Sequence, residues 1–228
     1  MTDRPVLPPV LEQARRLVAL GVAERAGFDG DDFLARAAAL AGPEDDERLL
    51  VVDPTLAPPS ALAPLMRLPA HDVDGAKEGF VVVDMTDVDR FAPLPEVSVP
   101  TGPLYVVTGL DRGDDYANRT PNETLPELLA AGRTPLLLHE AITWALQTPQ
   151  VVAPNRCYMA IGSRIRKADG TLDARTPAVW ISAGTGRDGA ARKGAPKVGW
   201  CWAGNRHTWL GIASAQGRAG GSAASSAG

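Results

Sequence analysis

Short apolar runs bounded by proline, glycine and aspartate limit the fold of this 228-residue chain more than any other feature. Three runs rich in β-branched residues predict buried strands, at residues 49–52, 79–84 and 103–107. From residue 156 onward the pattern is strand-like again, with runs at residues 157–162, 178–182, 197–203 and 207–213. The chain is therefore expected to build much of its core from short strands.

Helical patterns occupy the rest of the chain. Apolar residues at helical spacing predict an N-terminal helical hairpin at about residues 9–42. A capping box formed by Thr120 and Glu123 predicts a central helix, and residues 136–147 predict another, with His139 and Glu140 on its solvent side. We therefore expect an α+β fold with an N-terminal helical hairpin, central helices and a C-terminal antiparallel β-sheet that ends in a tryptophan-rich hairpin.

Composition indicates an ordinary globular protein, with 45% apolar and 22% charged residues. We expect a single domain over residues 1–216 and a disordered Gly/Ala/Ser tail over residues 217–228. The sequence shows neither a secretory signal nor an apolar run that could span a bilayer, which predicts a cytoplasmic protein with no membrane partner. The two cysteines are then expected to remain thiols.

Charge and tryptophan are unevenly distributed along the chain. Residues 1–150 hold 12 basic and 24 acidic side chains, whereas residues 151–228 hold 11 and 3. Four of the five tryptophans lie in the basic part, between Trp180 and Trp209. Flat apolar rings beside cations suit a small anionic, aromatic ligand such as a nucleotide.

The predicted ligand site is the C-terminal hairpin, in which a turn at Gly204 and Asn205 would join strands 197–203 and 207–213. The residues assigned to it are three rings for stacking, two hydrogen-bonding side chains and three cations: Trp200, Trp202, Trp209, Asn205, His207, Arg206, Arg164 and Arg166. The competing interpretation is that the tryptophans are core residues and that the hairpin tip is polar, as most turns are.

Two other functions are compatible with the sequence. In an enzyme, Cys201 would be the nucleophile and His207 its base, with Asp111 or Asp114 as the third group, although a thiol in a strand is more often inert packing. In an interaction module, the basic C-terminal face would meet an acidic protein or the acidic half of a second copy. The scattered His and Cys residues predict no metal site, no cofactor is indicated, and double-stranded nucleic acid is not an expected partner at a pI near 5.4.

One segment carries a resemblance to a known family. The phrase Ala-Pro-Lys-Val-Gly-Trp-Cys-Trp-Ala-Gly-Asn-Arg-His-Thr-Trp-Leu-Gly, at residues 195–211, resembles the closing segment of an uncharacterised bacterial family known only as a domain of unknown function. The resemblance extends to residues 111–114, 162–164 and 177–182, and it departs from the family pattern at Arg206, where proline is expected. It implies no established activity.

Overall fold

The computed structural model describes residues 6–42, 47–68 and 76–221. It begins with three helices: α1 (Val10–Ala19), α2 (Val22–Arg25) and α3 (Gly30–Ala38). The side chain of Asp29 caps α3 by accepting a hydrogen bond from the backbone N–H of Asp32 at 2.9 Å. Since α1 packs against α3 and α2 lies in their connection, this segment agrees with the predicted helical hairpin.

An antiparallel sheet of three strands follows, in the order β1 (Arg48–Val52), β4 (Leu104–Thr108) and β12 (Gly217–Gly220). The predicted tail is wrong for residues 217–221, because β12 pairs with β4 and places Arg218 in the interior. The composition of residues 217–220 did not predict this strand. The strand pairs through main-chain hydrogen bonds, and the side chain that it buries, that of Arg218, is charged. Residues 222–228 of the predicted tail lie outside the described residues.

The other helices are α4 (Pro59–Leu62), α5 (Pro121–Ala130) and α6 (Leu138–Gln147). The capping box on α5 is confirmed, since the Glu123 N–H donates to Thr120 Oγ1 at 3.1 Å and the Thr120 N–H donates to the Glu123 carboxylate at 3.0 Å. The predicted solvent side of α6 is wrong: His139 and Glu140 are buried. The physical reason is that α6 packs against β1, β8 and α4 and is buried on every side.

The largest sheet has five strands, in the order β10 (Leu210–Ile212), β6 (Cys157–Met159), β8 (Arg175–Ile181), β9 (Pro196–Trp202) and β2 (Phe80–Val81). It is mixed, because β10 runs parallel to β6 and β2 runs parallel to β9, whereas β8 is antiparallel to both of its neighbours.

The predicted C-terminal hairpin is wrong, because β9 and β10 are not paired and β6 and β8 lie between them. The turn itself forms, with the Asn205 N–H donating to the Trp202 carbonyl at 3.0 Å. A local turn signal carries no information about which distant strand is the better partner. After β9 the chain turns and passes β8 and β6 to reach the edge of the sheet that β10 forms.

Two small antiparallel pairs complete the α+β fold. They are β5 (Thr134–Pro135) with β11 (Ser214–Ala215), and β3 (Ala92–Pro93) with β7 (Ser163–Arg164). Gly113, at φ 73°, lets a loop touch β10, since a Cβ there would lie 1.9 Å from the Ile212 carbonyl oxygen. None of the helices in the described part of the chain has the length and apolar character needed to cross a membrane.

Candidate ligand-binding site

A cavity of about 650 Å³ lies on the five-stranded sheet, within the size range of small-molecule sites. The strand register builds it. Lys197 of β9 lies directly opposite Trp180 of β8, and the register of β6 with β8 brings Cys157 to the other side of Trp180. Trp209, which immediately precedes β10, completes this wall.

Two indoles form the aromatic wall of the cavity. The rings of Trp180 and Trp209 meet edge to face, with centroids 6.4 Å apart and an interplanar angle of 73°, and both are half-buried. Gly199 makes room for Trp180, because a Cβ at this position would lie 2.4 Å from Cη2 of the ring. Val82 and the exposed Val83 add apolar surface to the cavity lining.

The polar end of the cavity is organised by Asp188. Its Oδ2 accepts hydrogen bonds from Lys197 Nζ at 2.5 Å and from Ser182 Oγ at 2.7 Å. Burial by itself would raise the pKa of Asp188, but the hydrogen bonds from Lys197 and Ser182 outweigh burial and hold this pKa below its usual range. Asp188 is therefore ionised at neutral pH and fixes the positions of both donors.

Lys197 keeps part of its hydrogen-bonding capacity. An ammonium group has three donors, and within the described part of the chain its hydrogen-bond acceptor is Asp188 alone. Nζ also lies 4.9 Å from the centroid of the Trp180 ring. Two N–H groups are thus available to a ligand that lies against this indole.

A second, looser ion pair marks the rim. Arg187 Nη1 lies 3.3 Å from the carboxylate of Asp84, and the Arg187 side chain is 74% exposed. An exposed pair of this kind contributes little to stability and is screened by salt. Arg187 can therefore leave Asp84 for a ligand at small cost.

The three tryptophans assigned from the sequence occupy different places. Trp200 and Trp209 border the cavity. Trp202 does not: it is 46% exposed and meets the Trp200 ring edge to face, with ring centroids 4.6 Å apart. The register of β8 with β9 sets Trp180, and not Trp200, directly opposite Lys197, so Trp180 presents its ring to the Lys197 ammonium.

The predicted polar residues do not line the cavity. Arg206 binds the carbonyl of Asn118 at 2.9 Å and the carboxylate of Glu123. Asn205 lies in the exposed turn after β9. The turn after β9 is therefore held by contacts of Arg206 to α5 and to the loop that precedes α5.

Arg164 and Arg166 are engaged elsewhere as well. Arg164 Nε donates to the Asp173 carbonyl at 3.1 Å, and Arg166 Nη1 donates to the Gly170 carbonyl at 2.7 Å. Both contacts hold the loop between β7 and β8 in place. The three predicted cations are thus dispersed, and the positive charges at the cavity come from Lys197 and Arg187, beside the carboxylates of Asp188 and Asp84.

The predicted catalytic group is not assembled, since no hydrogen bond joins any two of Cys201, His207 and Asp114 in the part of the chain that is described. Burial raises the pKa of Cys201 to about 12, which keeps the thiol protonated at neutral pH. Asp114 instead pairs with Arg112 and Arg156.

His207 contacts an aromatic ring, and Asp111 shapes a loop. The His207 ring lies 5.8 Å from that of Trp209, and burial lowers its pKa. Its Nε2 has no hydrogen-bond partner within the described residues. The carboxylate of Asp111 accepts the Gly113 N–H at 2.7 Å and shapes the loop against β10.

A second group of titratable side chains is buried between α6, β4 and β12. Arg218 binds Glu140 through two hydrogen bonds of 2.6 and 2.7 Å, and Tyr105 Oη donates to Glu140 at 2.8 Å. Since the Tyr105 proton is used, its oxygen must accept from Nε2–H of His139, 2.6 Å away. These side chains bind one another, and Arg218 also binds Thr134 and Pro135, so the group is a structural link.

No group of three or more His, Cys, Asp or Glu side chains among residues 6–42, 47–68 and 76–221 is placed to hold a metal ion. The candidate site therefore depends on rings, an ammonium group, a hydroxyl and main-chain groups.

The residues assigned from the sequence do not include five that the cavity brings together: Trp180, Ser182, Arg187, Asp188 and Lys197. All five belong to the tryptophan-rich basic part of the sequence. The missing information was the register of β8 with β9, which sets Trp180 opposite Lys197.

Comparisons with known proteins give a family but no activity. Neither the curated proteins nor the solved structures provided a match to this chain. A family model matches residues 16–221, which is most of the sequence. This coverage includes every strand of both larger sheets and all residues that border the cavity, and the chain therefore belongs to a family of unknown function, DUF5701.

Proposed function

We propose that this protein binds a small planar anionic ligand in the cavity bounded by Trp180, Trp209 and Lys197. The observation that carries the proposal is that the Trp180 indole and the Lys197 ammonium, which has two N–H groups to spare, face the same cavity. Ligand sites commonly combine apolar walls with a few placed polar groups, and this cavity has that composition.

The planar part of the ligand is argued from the aromatic wall. Two half-buried indoles at 73° border the cavity, and Val82 and Val83 add apolar surface to its lining. A ring placed against an indole would exchange water for π surface, which favours aromatic compounds over aliphatic ones of equal size.

The anionic part is argued from Lys197 and Arg187. Asp188 holds Lys197 in position without using all its donors, and Arg187 is weakly held at the rim. The ligand class expected from the sequence is thus retained, while the residues that supply its positive charge change from Arg164, Arg166 and Arg206 to these two.

Intrinsic tryptophan fluorescence and calorimetry test the proposal with a panel of nucleosides, nucleoside monophosphates and aromatic carboxylates. W180F and W209F are expected to weaken binding, because a phenyl ring offers less stacking surface than an indole, and stacking on a whole ring contributes roughly 1–3 kcal/mol. W202F is the matched control, because Trp202 lies outside the cavity. The proposal fails if no compound changes the emission, or if W202F weakens binding as much as W180F does.

A further inference from the structure

The carboxylate of Asp188 has one oxygen that the protein itself does not use. Its Oδ2 accepts hydrogen bonds from Lys197 and from Ser182, which occupy both lone pairs of that oxygen. Within the described part of the chain, no group donates a hydrogen bond to Oδ1. Since Asp188 borders the cavity and its side chain is 11% exposed, Oδ1 is left as an acceptor at the polar end of the cavity.

This acceptor is held in place before any ligand arrives. Ser182 directly follows β8 and is anchored by two main-chain hydrogen bonds: its N–H donates to the Ala195 carbonyl at 2.9 Å, and its carbonyl accepts from the Gly194 N–H at 2.8 Å. The Ser182 hydroxyl and the Lys197 ammonium then fix the carboxylate of Asp188. A ligand therefore need not bear the entropy cost of ordering this group.

An anionic ligand meets carboxylates as well as cations in this cavity. Lys197 and Arg187 border it, and so do Asp188 and Asp84, so these four charges cancel. Asp84 is 42% exposed and keeps its contact with water, whereas Asp188 is mostly buried. A ligand that placed only lone pairs against Asp188 would remove water from the carboxylate without replacing its hydrogen bond. The bound ligand is therefore expected to donate a hydrogen bond to Asp188.

The position of Lys197 defines the kind of ligand edge that fits. Its ammonium group is bonded to Asp188 and lies 4.9 Å from the centroid of the Trp180 ring, so spare N–H donors and the free acceptor are neighbours beside an aromatic ring. A planar ligand against Trp180 would present its edge to both groups. The complementary edge has an N–H next to a carbonyl oxygen or a ring nitrogen, an arrangement found in nucleobases and absent from carbocyclic aromatic acids.

We propose that Asp188 and Lys197 bind the edge of a nitrogen heterocycle, with Asp188 Oδ1 accepting from an N–H of the ligand and Lys197 donating to the neighbouring oxygen or nitrogen atom. This inference rests on the proposed function and adds to it the chemical class of the planar part. The second spare N–H of Lys197 and the guanidinium of Arg187 remain for the anionic substituent.

Calorimetric titration of the full chain tests the inference with three pairs of nucleoside 5′-monophosphates. Each parent, with inosine, uridine or adenosine as its nucleoside, is compared with the derivative in which the N–H of the base is methylated: 1-methylinosine, 3-methyluridine and the 6-dimethylamino analogue of adenosine. Methylation removes the donor and keeps the ring and the charge. We expect the parent of at least one pair to bind about tenfold more tightly, as the loss of a hydrogen bond to a charged group allows.

Two matched variants assign the difference to Asp188. D188N replaces the carboxylate by a neutral amide of nearly the same shape and is expected to remove most of the tenfold difference. D84N makes the same change at another carboxylate that borders the cavity and should preserve the difference. Circular dichroism checks that both variants fold. If D188N folds and keeps the full difference, the bulk of the methyl group explains it and the inference is wrong.

The outcomes separate this inference from the proposed function. Equal binding within all three pairs by the unaltered protein would overturn the inference alone, whether or not D188N folds. Binding of phenyl phosphate or benzoate, which have carbocyclic rings, but of none of the nucleotides would also overturn it and leave the proposed function standing. A failure of all these compounds to bind would remove both.

Discussion

At the scale of single residues, Gly199 shows how an absent side chain shapes the candidate site. Alternation along β9 puts Gly199 on the same face as Lys197, beneath the ring of Trp180. The close approach of the ring to this backbone fixes the indole where it can border the cavity. A glycine inside a strand is otherwise unfavourable, so its position here has a packing reason.

We predict that G199A displaces the Trp180 ring, because the added Cβ would lie 2.4 Å from Cη2. Overpacking of this kind costs about 1–3 kcal/mol, and ligand affinity should fall with it. Thermal unfolding and the tryptophan emission spectrum measure both effects. G204A is the matched control, since nothing lies within 4 Å of a Cβ at that position. Equal behaviour of the two variants would contradict the packing argument.

At the scale of elements, β12 is a short strand with a large effect on the interior. It adds to the edge of β4 and carries Arg218, whose side chain is 2% exposed, to the fully buried carboxylate of Glu140. Arg218 also donates to Thr134 Oγ1 at 2.7 Å and to the Pro135 carbonyl at 3.0 Å. The strand therefore joins the three-stranded sheet to the start of α6.

We predict that truncation after Gln216 destabilises the protein by about 3–5 kcal/mol or prevents folding, because it leaves a buried carboxylate without its cation. Truncation after Gly221 keeps β12 and is expected to retain nearly full stability. Urea denaturation of both forms makes the comparison. R218M in the full chain should reproduce most of the loss, which assigns it to the ion pair and not to the strand hydrogen bonds. Unchanged stability on truncation after Gln216 would refute this role.

At the scale of the whole molecule, the acidic and basic halves of the sequence neutralise each other within one chain. Among the described residues, five ion pairs join them: Arg156 with Asp114, Arg175 with Asp87, Arg187 with Asp84, Arg206 with Glu123 and Arg218 with Glu140. The excess of basic residues after residue 150 is thus partly balanced inside the fold. An acidic partner or a second copy would have to compete with these internal carboxylates.

The buried histidine predicts acid sensitivity of the whole fold. Burial lowers the pKa of His139, which stays neutral beside Tyr105 and Glu140. Below about pH 6.5 the unfolded chain binds a proton that the folded chain does not. The free energy of unfolding therefore decreases as the pH is lowered. The pKa of Glu140 is lowered too: burial opposes this shift, and the hydrogen bonds from Arg218 outweigh it. The stabilisation by Glu140 is therefore present above its unfolded pKa of about 4.3 and is lost below it.

We predict that stability falls between pH 6.5 and pH 5.5 with a slope of up to about 1.4 kcal/mol per pH unit from His139. Urea denaturation at several pH values measures this slope. H139Q preserves an N–H donor for Tyr105 and should flatten the curve in this window. H207Q is the comparison, and its effect should be smaller because His207 is only partly buried. A slope that H139Q leaves unchanged would contradict the assignment.

The fold class could largely be predicted from the sequence, but the pairing of the strands largely could not. The capping box of α5 and the runs that became β1, β4, β8 and β9 depend on local chemistry, which a sequence displays directly. The pairing of β10 with β6, the burial of Glu140 and the docking of β12 depend on residues far away in the chain. For the same reason, several residues that were assigned to the site from the sequence, among them Arg164, Arg166 and Arg206, lie outside the cavity.

The amino-acid sequence by itself determined the element types, the concentration of tryptophan and positive charge near the C-terminus, and the thiol state expected of two separate cysteines. Only the tertiary structure decided that Trp180 and Lys197 share a cavity, that Trp202 lies outside it, and that Arg218 neutralises Glu140. The physical reason is that propensity and turn chemistry act over a few neighbouring residues. Strand register and burial are set by the packing of the entire chain.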